Sequence, residues 1–170
     1  MMGSTLLAAA REPLLDAAGV SETETVCVPI HCNVDTLPAV IGAMRPRACL
    51  RHGHAGVYMP REHTEALETI AARWRTARGD SRRDFEGPVV VSVVAHRAMP
   101  ESWPKRRMGE PDTSKPDVDN IAKLVMDALT GTAWGDDAQV VGLVACKAPR
   151  VGDRDWYEVE VTYCERRRLA

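Results

Sequence analysis

The sequence predicts an α+β domain: a small mixed β-sheet with two main helices, in the order β-α-β-α-β-β, behind an N-terminal helical extension. Three observations predict it. Residues 62–78 and 119–129 repeat apolar side chains at helical spacing. Short β-branched or alternating segments lie before, between and after them. The chain has 170 residues, 45% hydrophobic and 27% charged, which is enough for one well-formed core. The division that follows is an extension over residues 1–22 and a single domain over 23–170.

Residues 4–19 read as a helix. Leu6, Leu7, Ala10, Leu14, Leu15 and Ala18 recur at roughly helical spacing, and Pro13 can split it into two pieces. Nothing chemical sits on it, so it reads as an appendage. Residues 24–30, ETVCVPI, alternate as a strand does. Residues 31–56 hold Pro38, Gly42, Pro46, Gly53 and Gly56 and read as loop, with room for a short helix around 37–44. Residues 57–59 form a short extended piece ending at Pro60. In the helix at 62–78, Leu67, Ile70, Ala71 and Trp74 make the apolar stripe, and Gly79 fits the stop.

Gly87 and Pro88 introduce VVVSVVAH, whose near-continuous apolarity marks a buried strand. The stretch RAMPESWPKRRMGEPDTSKP is a proline-rich basic loop. In the helix at 119–129, Ile121, Leu124, Val125, Ala128 and Leu129 face the core, and Gly131 closes it. After the turn Gly135-Asp136-Asp137, residues 139–147 read as a strand. Residues 156–163 alternate, with Tyr157, Val159, Val161 and Tyr163 on one face. These last two strands are expected to pair as a hairpin.

The longest apolar run is too short to span a bilayer. The N-terminus lacks a basic region and Arg11 interrupts its apolar stretch, so no signal peptide is expected and the cytoplasm is the expected location. Five cysteines without a CxxC pair read as reduced thiols. The net charge of -2 is not the basic balance of most nucleic-acid binders. It hides clusters, however: Arg45, Arg47 and Arg51; Arg73, Arg75, Arg78, Arg82 and Arg83; Arg97, Lys105, Arg106 and Arg107; and Arg166, Arg167 and Arg168. Each is either a solvated face or a phosphate-binding patch. The first cluster lies in RPRACLRHGHAG, a basic, glycine-punctuated stretch suited to a mobile DNA-contacting loop. His52 and His54 are too few to define a metal site. Trp103 and Trp134 have both base-stacking and packing readings.

The informative segment is SKPDVDNIAKLVMDALTGTAWGDDAQVV. Asp117 and Asp119 lie at the start of a helix, where unpaired N–H groups favour carboxylates. One of them has an ordinary reading as an N-cap. The helix is roughly 16 Å long at 1.5 Å per residue. Asp136 and Asp137 would therefore have to travel back through the connection at 130–135 to meet it, which an extended loop at about 3.3 Å per residue permits. Carboxylates so gathered would repel unless a cation neutralised them, and Mg²⁺ does that with hard oxygen ligands. Lys123, one turn after Asp119, is placed to reach a phosphate or leaving group, or to pair with Asp119 or Asp127.

These residues resemble the RusA-type Holliday junction resolvases of bacteria and their phages. KPDVDNIAKLVMDAL followed by WGDDAQVV carries the resemblance, supported by VYMPREHTEALETIAARW and by MPESWPKRRM. It extends over roughly residues 24–163. What it implies is a homodimeric, Mg²⁺-dependent endodeoxyribonuclease that binds four-way DNA junctions and nicks two strands symmetrically. By motif, Asp117, Asp119 and Asp137 match the essential metal-binding acids and Lys123 the catalytic lysine. Asp136 matches a neighbouring acid and Asn120 a structural support. Lys105, Arg106 and Arg107 match DNA-backbone contacts, and Arg51 joins them from the first basic cluster. Two features depart from the resemblance: the net acidity, and the length of the 31–56 stretch. The rival readings are a non-catalytic branched-DNA-binding protein of this fold and an unrelated Mg²⁺-dependent phosphohydrolase.

Overall fold

The computed structural model describes residues 3–33, 35, 37–51, 54–78 and 84–167, and the side chains of all of these except 3–8 and Arg51. His52, Gly79, Arg82, Arg83 and Arg168 lie outside the described residues. The elements are α1 (Gly3–Ala18), β1 (Val20–His31), β2 (Arg47–Arg51), β3 (His54–Tyr58), α2 (Arg61–Arg78), β4 (Val89–His96), α3 (Val118–Leu129), β5 (Val140–Lys147) and β6 (Trp156–Arg166). The α+β class and its N-terminal helix agree with the sequence reading. α1 runs unbroken through Pro13, and β1 begins inside the segment set apart as an extension.

Four strands make one mixed sheet in the order β1-β6-β4-β5. β6 is antiparallel to both β1 and β4, while β4 and β5 run parallel. The expected β5–β6 hairpin is therefore wrong. β6 is buried at every position from Tyr157 to Cys164 and takes a central place, and the partly exposed β5 takes the edge. Alternation in β6 puts Tyr157, Val159, Val161 and Tyr163 on one face and the polar side chains on the other. Its polar face, Glu158, Glu160 and Thr162, is buried too.

α1 is what buries part of it. On one face of the sheet, Val89, Val91 and Val93 join Ile70 and Trp74 of α2 and Leu124 and Val125 of α3. Val90, which alternation points the other way, packs with Leu15 of α1, Val20 and Cys164. The fold is thus three layers: α1, the sheet, then α2 with α3. Arg11 reaches from α1 to Glu160 (3.3 Å) and Glu22 (3.3 Å). Burial pushes the Glu160 carboxyl above its usual pKa, and Arg11 opposes that shift.

The expected helix around 37–44 does not form. The backbone there is held by tertiary partners: Val40 N donates to Asp155 Oδ2 (2.8 Å), Ile41 N to Tyr157 Oη (2.8 Å), Ala43 N to the Asn120 carbonyl (2.7 Å) and Met44 N to His63 Nδ1 (3.2 Å). Such external bonds replace the helical ladder. The basic stretch beyond, expected as loop, is the antiparallel hairpin β2–β3. Among the described residues, no helix is long and apolar enough to cross a membrane.

Arg11→Ala is expected to destabilise the fold at pH 7 by about 3 kcal/mol, because it strands a buried carboxylate. Without Arg11 the folded pKa of Glu160 rises further, so the folded chain binds a proton more readily than the unfolded one. The deficit should therefore shrink as pH falls towards 5. Urea unfolding of both proteins at the two pH values measures it; an equal deficit at both would refute the linkage.

Candidate active site

α3 carries the acidic motif across the outer edge of the sheet. Its buried stripe is Ile121, Ala122, Leu124, Val125, Ala128 and Leu129, as the spacing requires. The strap at 40–44 lies against its first turn. A Cβ on Gly42 would come within 2.8 Å of Asn120 Cβ and 3.1 Å of Pro116 Cβ, so only glycine permits this approach. Asn120 supports the helix start in this way, through its carbonyl and its Cβ.

Asp117 occupies the N-cap position, but its side chain caps nothing. Its carboxylate pairs with Lys115 (2.7 Å). That hydrogen bond, with the charges of Lys115 and Lys147, holds its pKa below the usual carboxylate value. Lys147, near the end of β5, donates to the carbonyls of Ser114 (2.7 Å) and Pro116 (3.3 Å) and fixes the approach to the helix. Asp119 is exposed and has no hydrogen-bond or ion-pair partner among the described residues. Lys123 takes the ordinary helical pairing, with Asp127 at 3.5 Å.

Asp136 and Asp137 are not gathered with Asp117, which lines a different cavity. The chain after α3 turns at once: Gly131, with φ +73°, donates its N–H to the Trp134 carbonyl (2.7 Å). Ala133 donates to the Leu129 carbonyl (2.7 Å) and accepts from Tyr163 Oη (2.9 Å). Trp134 is fully buried, as one of its two readings had it. These contacts use up the slack that loop closure needed. Asp137 consequently stays beside the C-terminal end of α3, where the Thr130 hydroxyl reaches its Oδ1. Roughly 16 Å of helix axis separates that end from the start.

Asp136 caps the short turn that follows, accepting from Ala138 N (2.7 Å). Gln139 completes the cap. Its Oε1 accepts from Gly135 N (2.9 Å) and Asp136 N (2.9 Å), and its Nε2 donates to the carbonyls of Phe85 (2.6 Å) and Gly87 (2.9 Å). The amide is fully engaged and ties the GDD turn to the approach of β4. Sequence reading saw Gln139 in the motif but gave it no role.

Asp119, Asp127 and Asp137 line one open cavity of about 320 Å³ with Lys123 between them, on an apolar floor of Ala122, Met126, Leu143 and Ala145. Asp117 lines a separate cavity of about 400 Å³ against the strap. Among the described residues, no three His, Cys, Asp or Glu side chains are gathered closely enough to hold a metal. The donor chemistry nonetheless fits a hard divalent cation. Mg²⁺ keeps several waters and needs only one or two protein carboxylates beside substrate phosphates.

The basic loop at 97–116 is organised by a carboxylate that sequence reading missed. Asp112, its side chain fully buried, pairs with Arg97 (3.0 Å) and Arg150 (3.2 Å). It also accepts from Ser114 N (3.1 Å) and Oγ (2.6 Å). Burial would raise its pKa, but the Ser114 bonds and the two arginines bring it down to about 2. The signal was the run Asp112-Thr113-Ser114, which suits an Asx turn. Arg107 stacks on Trp103, 3.7 Å from the ring centroid, and pairs with Glu110 (2.7 Å). Lys105 and Arg106 are exposed with no partner among the described residues. Arg51 lies in β2, in register with His54 of β3.

The class of protein is given by the family it matches, the endodeoxyribonucleases. The family model for the endodeoxyribonuclease RusA matches residues 39–162, and the chain belongs to that family. It is similar to the uncharacterized protein YqaN of Bacillus subtilis (strain 168), at 33% identity over 111 residues, covering 61% of this chain and 77% of that protein.

Asp112→Asn is expected to cost about 3–5 kcal/mol, because it leaves Arg97 and Arg150 without their buried partner. Trp103 emission should change with it, since the loop that seats Arg107 on the ring is released. In the wild type, a depressed carboxyl pKa contributes stability above the ordinary Asp value. That contribution should be lost only as pH falls towards about 2. Chemical unfolding and tryptophan fluorescence test both points.

Proposed function

We propose that this chain is a Mg²⁺-dependent, structure-selective endodeoxyribonuclease that resolves Holliday junctions by paired symmetrical nicks, as a homodimer, in the cytoplasm of a bacterial or phage-infected cell. The observation that carries this reading is the open cavity shared by Asp119, Lys123 and Asp137 in a chain of the RusA family. Asp119 and Asp137, with Asp117 and Asp136 nearby in the motif, are the residues to hold the cation. When bound, the cation supplies an activated water and charge stabilisation at the scissile phosphate. Lys123 contributes a proton or a positive charge at the leaving oxygen once the phosphate displaces it from Asp127. Lys105, Arg106, Arg107 and Arg51 contact the DNA backbone; Lys105 and Arg106 are exposed and have no partner among the described residues, whereas Arg107 is held by Glu110 and Trp103.

A second reading is a non-catalytic branched-DNA-binding protein of the same fold. It is favoured by the pairing of Asp117 with Lys115 and of Lys123 with Asp127, and by the dispersal of the acids. A labelled four-way junction incubated with and without Mg²⁺ separates the two. Symmetrical nicks that require the metal are expected, and binding without nicks would favour the second reading. Asp119→Asn should reduce cutting to background and leave junction binding intact. A variant that still cuts would move the site elsewhere.

Junction affinity should fall steeply with salt, as released counterions dictate. Lys105→Ala with Arg106→Ala should lower the slope of log affinity against log salt by about 2. An unchanged slope, read by filter binding over a salt series, would remove these two residues from the interface.

A further inference from the structure

Asp117 is the first acid of the motif, and its side chain caps nothing. Its place at the start of α3 is therefore set by its backbone. The peptide unit after it is held by the helix, because its carbonyl accepts from Ile121 N (3.1 Å). The peptide unit before it is held from the sheet. Lys147, half-buried at the end of β5 and in register with Ala95 of β4, donates to the carbonyls of Ser114 (2.7 Å) and Pro116 (3.3 Å). A peptide unit is planar, so a bond to the Pro116 oxygen restrains the Asp117 nitrogen and Cα with it.

The two lysines beside Asp117 have different parts. Lys115 holds the carboxylate itself, but both side chains are exposed, at 86% and 50%. Such a pair is weak, and a divalent cation is a stronger partner for a carboxylate. Lys147 ends on backbone oxygens instead, and among the described residues its ammonium has no carboxylate partner. Lys115 can therefore leave Asp117 while Lys147 keeps its bonds. An ammonium suits this place, because three donors on a flexible stem serve both carbonyls at once.

The same lysine joins the basic loop to the acid. Ser114 Oγ accepts from Arg97 (3.1 Å) and Arg150 (2.7 Å) and donates to Asp112 Oδ1 (2.6 Å). That uses the full capacity of the hydroxyl. The Ser114 side chain is thus locked into the buried Asp112 cluster, while its carbonyl is bonded to Lys147. The chain entering Asp117 is anchored at two points, one in the basic loop and one on β5.

We infer that Lys147 is the positioning residue for Asp117: it holds the Ser114–Pro116 approach against β5, so that the carboxylate stays where a divalent cation can take it from Lys115. The inference rests on the reading of Asp117 as a metal-holding acid, and it adds to the site a residue from outside the acidic motif.

Mn²⁺ uptake by the full chain without DNA, read from the EPR signal of the free ion, tests it. The wild type is expected to bind Mn²⁺, and Lys147→Met to bind it about tenfold more weakly or worse. Lys147→Arg, whose guanidinium offers donors to both carbonyls, should recover most of that loss. Because Lys147 acts through Asp117, Lys147→Met should add nothing in an Asp117→Asn chain. A wild type that takes up no Mn²⁺ overturns the inference, as does wild-type affinity in Lys147→Met. So does a Lys147→Arg chain no better than Lys147→Met, or a full further loss in the Asp117→Asn chain. Should Lys147→Met not fold, Lys147→Gln, polar at a half-buried strand end, is read against the same outcomes. Junction cutting keeps the two readings apart. A chain whose Mn²⁺ uptake depends on Lys147 but which never cuts DNA leaves this role standing and removes the nuclease. A Lys147→Met chain that cuts at the wild type's Mg²⁺ concentrations does the reverse.

Discussion

β4 and β5 run parallel, and most of the site follows from that pairing. Parallel neighbours cannot be joined by a tight turn; the chain must return along the face of the sheet before the second strand begins. Here the return is α3, and its length is matched to the strands it spans. The start of α3 is consequently brought to the Lys147 end of β5, and its end to the Val140 end. Asp119, Lys123 and Asp127 are laid along β5 by this crossover, and Asp137 is delivered at its finish.

The electrostatics of that surface are set by which acids already have partners. Asp117 has Lys115, Asp127 has Lys123, and Asp136 is spent on capping its turn. Asp119 has none among the described residues, and Asp137 has the neutral Thr130 hydroxyl. The two acids least neutralised by the protein therefore line the same cavity. Exposed ion pairs of this kind are weak, so a divalent cation and a phosphate can exchange partners with them at small cost. The net charge of -2 conceals this arrangement, because its acids and bases are grouped by position.

Burial is arranged to hold the working loops and not only the core. Asp112 is sunk between Arg97 and Arg150 and shapes the basic loop. Asp155 and Tyr157, on and beside the centrally placed β6, hold the strap. Gln139 ties the GDD turn to β4. Each is a polar group from one segment satisfying backbone or charge from a distant one. The N-terminal helix belongs to the same scheme: it covers the second face of the sheet and sets Arg11 over Glu160.

The sequence by itself determined the elements that have a period. α2, α3 and β6 lie close to where their apolar spacing put them, β4 where its continuous apolar run did, and the first acids of the motif fell at the start of α3, because spacing and composition are local properties. Trp134 had both a stacking and a packing reading, and burial in the tertiary structure decided for packing. What has no period was hidden. The strap at 40–44 is held entirely by distant partners, so nothing local announces it, and the hairpin at 47–58 was masked by its glycines and arginines. The central place of β6 was also hidden, because it is set by pairing with β1 and β4; α1 covers part of its polar face through Arg11 at Glu160. The separation of Asp137 from Asp117 was likewise a tertiary outcome. A six-residue connection has the reach to close the gap, but burying Trp134 and bonding Ala133 to Tyr163 stabilise a tight turn instead, and that choice is made by contacts more than twenty residues away.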